Sequence, residues 1–257
     1  MKIRFIGTSA FDYPSNLSEI LKGVLDKDLR RSSSVLIDEH ILVDCGEHAL
    51  DSLAIQNIPL EQIDALFLTH LHSDHFRPDS VLKLLQTSPR LTVYAWSEAE
   101  TTLRKALAPM EIPFVPMDLL SPLDLGFIKV TAFPANHTEF PVHYLFEQDE
   151  KTFFYATDGA WILYDTLKAL ENRHLDFLVL DGTVGDYDGA FRVAEHNSIP
   201  MIRTMLKSFL TVGLCDEHSI VMLSHIAPSL HKSHAETEEL LKKDHLSIAY
   251  DGLVMEI

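Results

Sequence analysis

A chain of 257 residues, 46% of them hydrophobic, is long enough to bury one full core. Its net charge of -17 is spread along the sequence with only a short basic cluster at Lys27 to Arg31, which argues against extended nucleic acid as a partner, because gripping a phosphate backbone needs clustered Lys and Arg. Cys45 and Cys215 are too few for a disulfide framework, and no apolar run approaches the ~18 residues of a membrane span, so composition points to a reduced, cytoplasmic protein without a membrane partner.

Lys2 to Ile6 alternates as a strand, and "MKIRFIG" lacks the longer apolar core and cleavage site of a secretory signal. "SVLID" and "ILVDCG" flank Asp38-Glu39-His40 as a hairpin. A helix is predicted over Ala49 to Gln56, a strand over Ala65 to Leu68 and a helix over Ser80 to Gln86. Then come a strand at Thr92 to Ala95, a helix at Glu98 to Leu107 and a strand at Phe127 to Phe133. "HYLFE" and "TFFYATD" form a second hairpin, followed by a helix at Asp165 to Glu171 and a strand at Phe177 to Leu180. A helix at Ile199 to Val212 and a strand at Ile220 to Leu223 precede a helix at His234 to Lys243, whose entry Ser233-His234-Ala235-Glu236 has capping-box spacing. Ser247 to Tyr250 reads as a closing strand. Helices interspersed among many strands suggest two sheets covered by helices, an α/β body, and the absence of a linker or repeat makes residues 1–257 one domain.

The chemistry concentrates at "THLHSDH", residues 69 to 75. In an extended segment alternate side chains share a face, so His70, His72 and Asp74 would point together, and a turn at Asp74 would bring in His75. A metal shell needs donors from elsewhere as well, and three occur where predicted strands yield to loops: His137 in "PANHTEF", Asp158 in "YATDGA" and His225 in "VMLSHIAPS". The bland alternative is unconnected histidines in a chain that has 14 of them. The His-Glu-x-x-His helix of metalloproteases is absent.

Taken in order, "VDCG" with Asp44, "THLHSDH", His137, the Asp of "ATDGA" and the His of "LSHIAP" resemble the metallo-β-lactamase fold superfamily over nearly the whole chain. The resemblance implies a four-layer αβ/βα sandwich and two divalent metal ions. It assigns His70, His72 and His137 to the first ion and Asp74, His75 and His225 to the second, with Asp158 bridging. Asp44 would orient a ligand or water from behind; a solvent-facing strand-end aspartate is its other reading. Asp181, ending an apolar strand, could support the site through a hydrogen bond. Two such cations can share a hydroxide, lower its pKa toward neutrality and neutralise the oxygens of a phosphoryl or carbonyl centre. The donors suit Zn, Mn or Fe alike, and the pair would give an acidic protein an electropositive pocket.

Within the superfamily the chain is most similar to the phosphoribosyl cyclic phosphodiesterase-like branch, through "FPANHTEFPVHYLFE", "YATDGAWILYDTLKAL", "LVLDGT" with "RVAEHNSI", "VMLSHIAPS" and "YDGLVMEI". His196 falls where that branch carries a proton donor to the leaving alkoxide, so Asp74 and His196 are the catalytic candidates; on position alone His196 could equally belong to a helix-entry turn. The branch's Cys-rich zinc insertion has no counterpart in residues 10 to 34, which contain no Cys. The implied activity is hydrolysis of a small, cyclic or open, phosphodiester. Alternatives are RNA 3′-end processing of the tRNase Z kind, hydrolysis of a carboxylic ester or lactone, and a metal-bound scaffold or sensor without turnover. The implied partners are a small phosphorylated substrate and, from the superfamily's habit, a second copy in a homodimer. Trp161 and Tyr164 read as core aromatics or a pocket wall, His231, Lys232 and His234 as a solvated helix entry or a phosphate contact, and His48 and His143 as structural.

Overall fold

The computed structural model describes residues 1–189 and 191–257. They gather into two compact units, one of residues 1–118 with 250–256 and one of residues 119–249 with Ile257.

The first unit contains β1 (Lys2–Gly7), α1 (Leu17–Leu21), β2 (Ser34–Ile37), β3 (Ile41–Val43), α2 (Ala49–Ile55), β4 (Ala65–Phe67), α3 (Pro78–Thr87), β5 (Thr92–Trp96), α4 (Glu100–Leu107) and β6 (Phe114–Met117). Among the described residues these strands form a seven-stranded sheet ordered β1 to β6, with the chain's last strand, Val254–Glu256, antiparallel to the outer side of β1. β1, β2 and β3 are antiparallel, with Val35 opposite Val43, whereas β3 to β6 run parallel. The β2–β3 turn takes Asp38 and Glu39 through positive φ, 47° and 66°, as the two-residue hairpin turn that matches strand twist requires. β2, β3 and β4 are buried at every position, so they read as continuous apolar runs rather than alternating ones.

The second unit contains β7 (Pro122–Asp124), β8 (Lys129–Pro134), β9 (Val142–Gln148), β10 (Lys151–Ala156), α5 (Tyr164–Ala169), β11 (Phe177–Asp181), α6 (Ile199–Thr211), β12 (Ile220–Ser224), α7 (His234–Lys242) and β13 (Leu246–Ile248). Its sheet, again seven-stranded among the described residues, runs from β7 to β13 in sequence order. β7 to β10 are antiparallel and β10 to β13 parallel, with Phe153 opposite Phe177 and Leu180 opposite Leu223. Leu178, Leu180 and Leu223 pack against Ile202, Met205 and Phe209 of α6, burying that helix's apolar face. Both sheets are therefore mixed and carry helices, as the α/β expectation requires. No helix of the described residues is long and apolar enough to cross a membrane.

The chief differences from the sequence-based expectation are β6, β7, the last strand and α1, none of which was predicted. The segment at 70–75 turns through Asp74 as expected, and the turn already starts at His72: the backbone N–H groups of His75 and Phe76 both donate to His72 O, at 3.0 and 2.7 Å.

Candidate metal centre

In the first unit the parallel strands deliver their polar residues at their C-terminal ends, where open α/β sheets collect functional groups. Beyond β4 the Leu68 N–H still donates to Tyr94 O of β5, and then the chain turns. The turn packs three imidazoles together, with ring centroids 4.7 Å apart for His70 and His72 and 4.2 Å for His70 and His75. Asp74 Oδ2 lies 3.5 Å from His75 Nε2.

Asp44, just beyond β3, supports this turn from within. It is fully buried, so the solvent-facing reading does not hold. Its Oδ1 accepts from the Thr69 N–H at 2.8 Å, and its Oδ2 accepts from the Thr69 hydroxyl at 2.8 Å and lies 2.7 Å from His75 Nδ1. A carboxylate only accepts, so the proton belongs on His75 Nδ1, leaving the Nε2 lone pair directed toward the Asp74 side. Gly46 is needed for the approach: a Cβ there would run into the backbone of Asp74. Two backbone bonds fasten the strip, from Cys45 N to His75 O at 2.7 Å and from Arg77 N to Cys45 O at 2.9 Å. Tyr13, which no sequence pattern marked, donates to Glu47 Oε2 at 3.3 Å and meets the His48 ring edge-on at 4.5 Å; burial and then the Asp74 charge push its phenol well up.

In the second unit Asp158 follows β10, His225 follows β12, Asp181 ends β11, His137 lies beyond β8, and His196 precedes the Ser198 cap of α6. Asp158 is the hub. Its Oδ1 lies 3.3 Å from His137 Nε2 and 3.2 Å from His196 Nδ1, while its Oδ2 lies 3.4 Å from His225 Nε2. Donor atoms of Asp158, Asp181, His196 and His225 all lie within 4.8 Å of one another. His196 thus belongs to the helix-entry turn and to the carboxylate cluster at once.

Asp181 and Thr183 stand behind these ligands as Asp44 and Thr69 do in the first unit. Thr183 Oγ1 lies 3.0 Å from Asp181 Oδ2, 2.9 Å from His225 O and 2.8 Å from His225 Nδ1. Its single proton goes to one of the two pure acceptors, so His225 Nδ1 is the donor in the third contact and His225 Nε2 keeps its lone pair. Asp181 Oδ1 accepts from the N–H groups of Thr183 and Asn197, at 3.1 and 2.9 Å. Burial alone would raise the Asp181 carboxyl, but His196 and His225 outweigh it and hold it well below the usual carboxylate range. Burial would lower His196, and its contacts with Asp181 and then Asp158 raise it instead.

Two donors each about 2.0–2.1 Å from one tetrahedral ion are about 3.4 Å apart. The pairs Asp74 with His75, Asp158 with His137 and Asp158 with His225 lie at 3.5, 3.3 and 3.4 Å, close to the length of a tetrahedral edge. The N and O donor set fits a divalent ion of the Zn, Mn or Fe type. Asp181 is hydrogen-bonded to Thr183, Asn197 and His196.

The remaining candidates lie elsewhere. His231 Nε2 sits 3.0 Å from Gly185 N and 2.6 Å from Gly182 O, bracing the loop after β11. His234 is buried at the start of α7, and His143 packs behind Asp158, where a Cβ on Gly159 would meet it at 2.9 Å. Trp161 and Tyr164 are not core aromatics: 43% and 76% of their surfaces are exposed. Thr69, Thr183 and Asn197 went unmarked because hydroxyl and amide supports have no spacing signature.

The family described as the beta-lactamase superfamily domain matches residues 39–226, a span that includes every one of the ligand candidates. Ribonuclease Z of Prochlorococcus marinus strain AS9601 is 32% identical over 111 residues, 42% of this chain, and the match spans a third of that protein's length. Among solved structures, Zn(2+)-bound PqqB from Methylobacterium extorquens superposes with a TM-score of 0.77 at 17% identity over 100% of both chains. A diphosphatase of the PhnP family superposes with a TM-score of 0.74 at 19% identity, covering 100% of this chain and 97% of its own. Sequence and fold together place the chain in the beta-lactamase superfamily domain family, as a metal-dependent hydrolase of the metallo-β-lactamase fold.

Proposed function

We propose that the chain hydrolyses a small phosphodiester with two divalent ions, one held by His70, His72 and His137, the other by Asp74, His75 and His225, and both by Asp158. The observation that carries this reading is the division of the Asp158 carboxylate, whose Oδ1 faces His137 while its Oδ2 faces His225, each at a ligand-to-ligand distance. One carboxylate serving two ions would hold them as close together as a two-metal site needs. The turn at 70–75 supplies too few donors to close a dinuclear shell, and the residues matched to the family include both donor sets.

When bound, such ions make a water acidic enough to attack at neutral pH and neutralise phosphoryl oxygens. The protein's own residues do the rest. Asp44 and Thr183 hold His75 and His225 in the tautomer that offers Nε2. His196, its Nδ1 held between Asp158 and Asp181, keeps Nε2 to give a proton to the departing alkoxide, a poor leaving group without one. The net charge of -17 favours a small anion over a long polyanion. The PhnP-family diphosphatase, a protein of the same fold, supports a small phosphorylated substrate. The ribonuclease Z match favours RNA 3′-end processing as a second reading.

The purified chain, reconstituted with Zn or Mn, should hydrolyse bis(4-nitrophenyl) phosphate and leave precursor tRNA and lactones uncut. Efficient tRNA cleavage would move the assignment to the second reading, and activity confined to lactones would end both. Asp158→Ala should lose most bound metal and activity together; near-normal metal content by elemental analysis would refute the bridging role.

A further inference from the structure

Trp161 stands three residues beyond Asp158 and combines two features that folding alone disfavours. Its backbone is left-handed, at φ 61°, a region bulky L-residues avoid. Its indole is 43% exposed, and Tyr164 beside it is 76% exposed, so packing does not explain the strained residue. A glycine or asparagine would take that backbone more easily.

The loop is held by polar contacts instead. The Trp161 N–H donates to Asn197 Oδ1 at 2.7 Å, and Asn197 Nδ2 donates to Gly159 O at 3.0 Å. The Asn197 N–H in turn donates to Asp181 Oδ1 at 2.9 Å, on the carboxylate that faces His196. From the other side Asn136 Nδ2 donates to Ala160 O at 3.1 Å. The indole is thus displayed on a rigid loop fastened to the residues around Asp158. Backbone strain of this kind persists where the surroundings over-determine it, and it clusters at ligand clamps.

We propose that Trp161 is a stacking platform for a flat aromatic part of the substrate, so that the phosphodiester turned over here carries a nucleobase. This inference rests on the phosphodiesterase reading and narrows its substrate class. An indole face accepts any base, and a mononucleotide-sized ligand avoids the repulsion that a long polyanion would meet on a chain of charge -17.

Two 4-nitrophenyl esters with the same leaving group separate the base from the chemistry: thymidine 5′-(4-nitrophenyl) phosphate and methyl 4-nitrophenyl phosphate. Trp161→Ala should lose about 5- to 150-fold in kcat/KM on the thymidine ester, mainly through KM, the range for deleting one base-stacking aromatic. The methyl ester should be almost unaffected, and Trp161→Phe should recover most of the loss. Equal losses on both esters, or none on either, would overturn the proposal. A binding readout stands apart from turnover. Trp96 is the only other tryptophan, so in a Trp96→Phe background AMP should quench Trp161 emission saturably while ribose 5-phosphate should not. Identical responses to the two ligands overturn stacking even if both esters are cleaved. A parent protein that cleaves neither ester refutes the phosphodiesterase reading, and with it the substrate assignment.

Discussion

Asp44, Asp158 and His225 each adopt a left-handed backbone immediately beyond a strand, at φ 64°, 57° and 57°. For non-glycine residues that conformation costs on the order of 1–2 kcal/mol apiece, so two such donors and one such support are an expense the sheets do not require. Asp158 then meets three imidazoles. His196 approaches the carboxylates through Nδ1, at 3.2 and 3.1 Å, where His137 and His225 approach Asp158 through Nε2. In the proposed mechanism His196 is the proton donor and the other two are ligands. His196→Ala should therefore retain bound metal while slowing turnover, with a loss of about 10²- to 10⁴-fold on alkyl leaving groups and far less on 4-nitrophenolate, which needs no proton to depart. Steady-state rates across a leaving-group series would check this, and a loss independent of leaving group would remove His196 from that role. The donor residues were legible because imidazole and carboxylate at short spacing or at strand ends are rarely there by default. Their supports were not. Thr69, Thr183 and Asn197 act only through hydrogen-bond direction, which no residue count records, and the turn at His72 follows from backbone bonds that alternation cannot reveal.

The same limit operates for whole elements, at the margins of the sheets. β6, β7 and the last strand are all edge strands, and with them go the weakest burial patterns: β7 and the last strand have no buried residue. An edge strand covers less apolar surface and tolerates proline, and Pro116 sits within β6 and Pro122 at the start of β7. Interior strands such as β3, β4 and β11 are buried at every position and were plain in the sequence. Helix ends were legible where a side chain does the capping. Ser233 accepts from the Glu236 N–H, and the Glu236 carboxylate returns to Ser233 N at 3.2 Å, as the spacing implied. α1, five residues long with no side-chain cap, offered no such mark. Ser233→Ala should destabilise the protein by about 1 kcal/mol and lower Tm by about 2–4 °C without altering metal content. A thermal melt unchanged within error would mean that the α7 entry is secured by packing alone.

The first unit joins the two ends of the sequence, because residues 250–256 return to complete its sheet. Asp251 makes that return specific. It is buried and accepts from the Thr8 hydroxyl and the Arg31 N–H, each at 2.8 Å, while the Arg31 guanidinium lies 3.8 Å away and Arg30 donates to Thr8 Oγ1 at 2.9 Å. One buried guanidinium faces the carboxylate and the other reaches it through Thr8, across 243 residues of sequence between Thr8 and Asp251. Burial nevertheless outweighs the bonds from Arg31 and Thr8, and the Asp251 pKa rises from 3.8 to about 6. A carboxyl raised in the folded state binds its proton more tightly there than in the unfolded chain, so its contribution to stability is greatest below 3.8 and is lost as pH rises through about 6. Asp251→Asn removes this titration. It should weaken folding at every pH by taking away the carboxylate that faces the Arg31 guanidinium, yet the gap between parent and variant should be wider at pH 5 than at pH 7, by on the order of 1 kcal/mol. Urea unfolding of both proteins at the two pH values measures it directly. A gap that instead narrows toward pH 5 would show that the two arginines hold Asp251 ionised, and that the closing contact is an ion pair throughout.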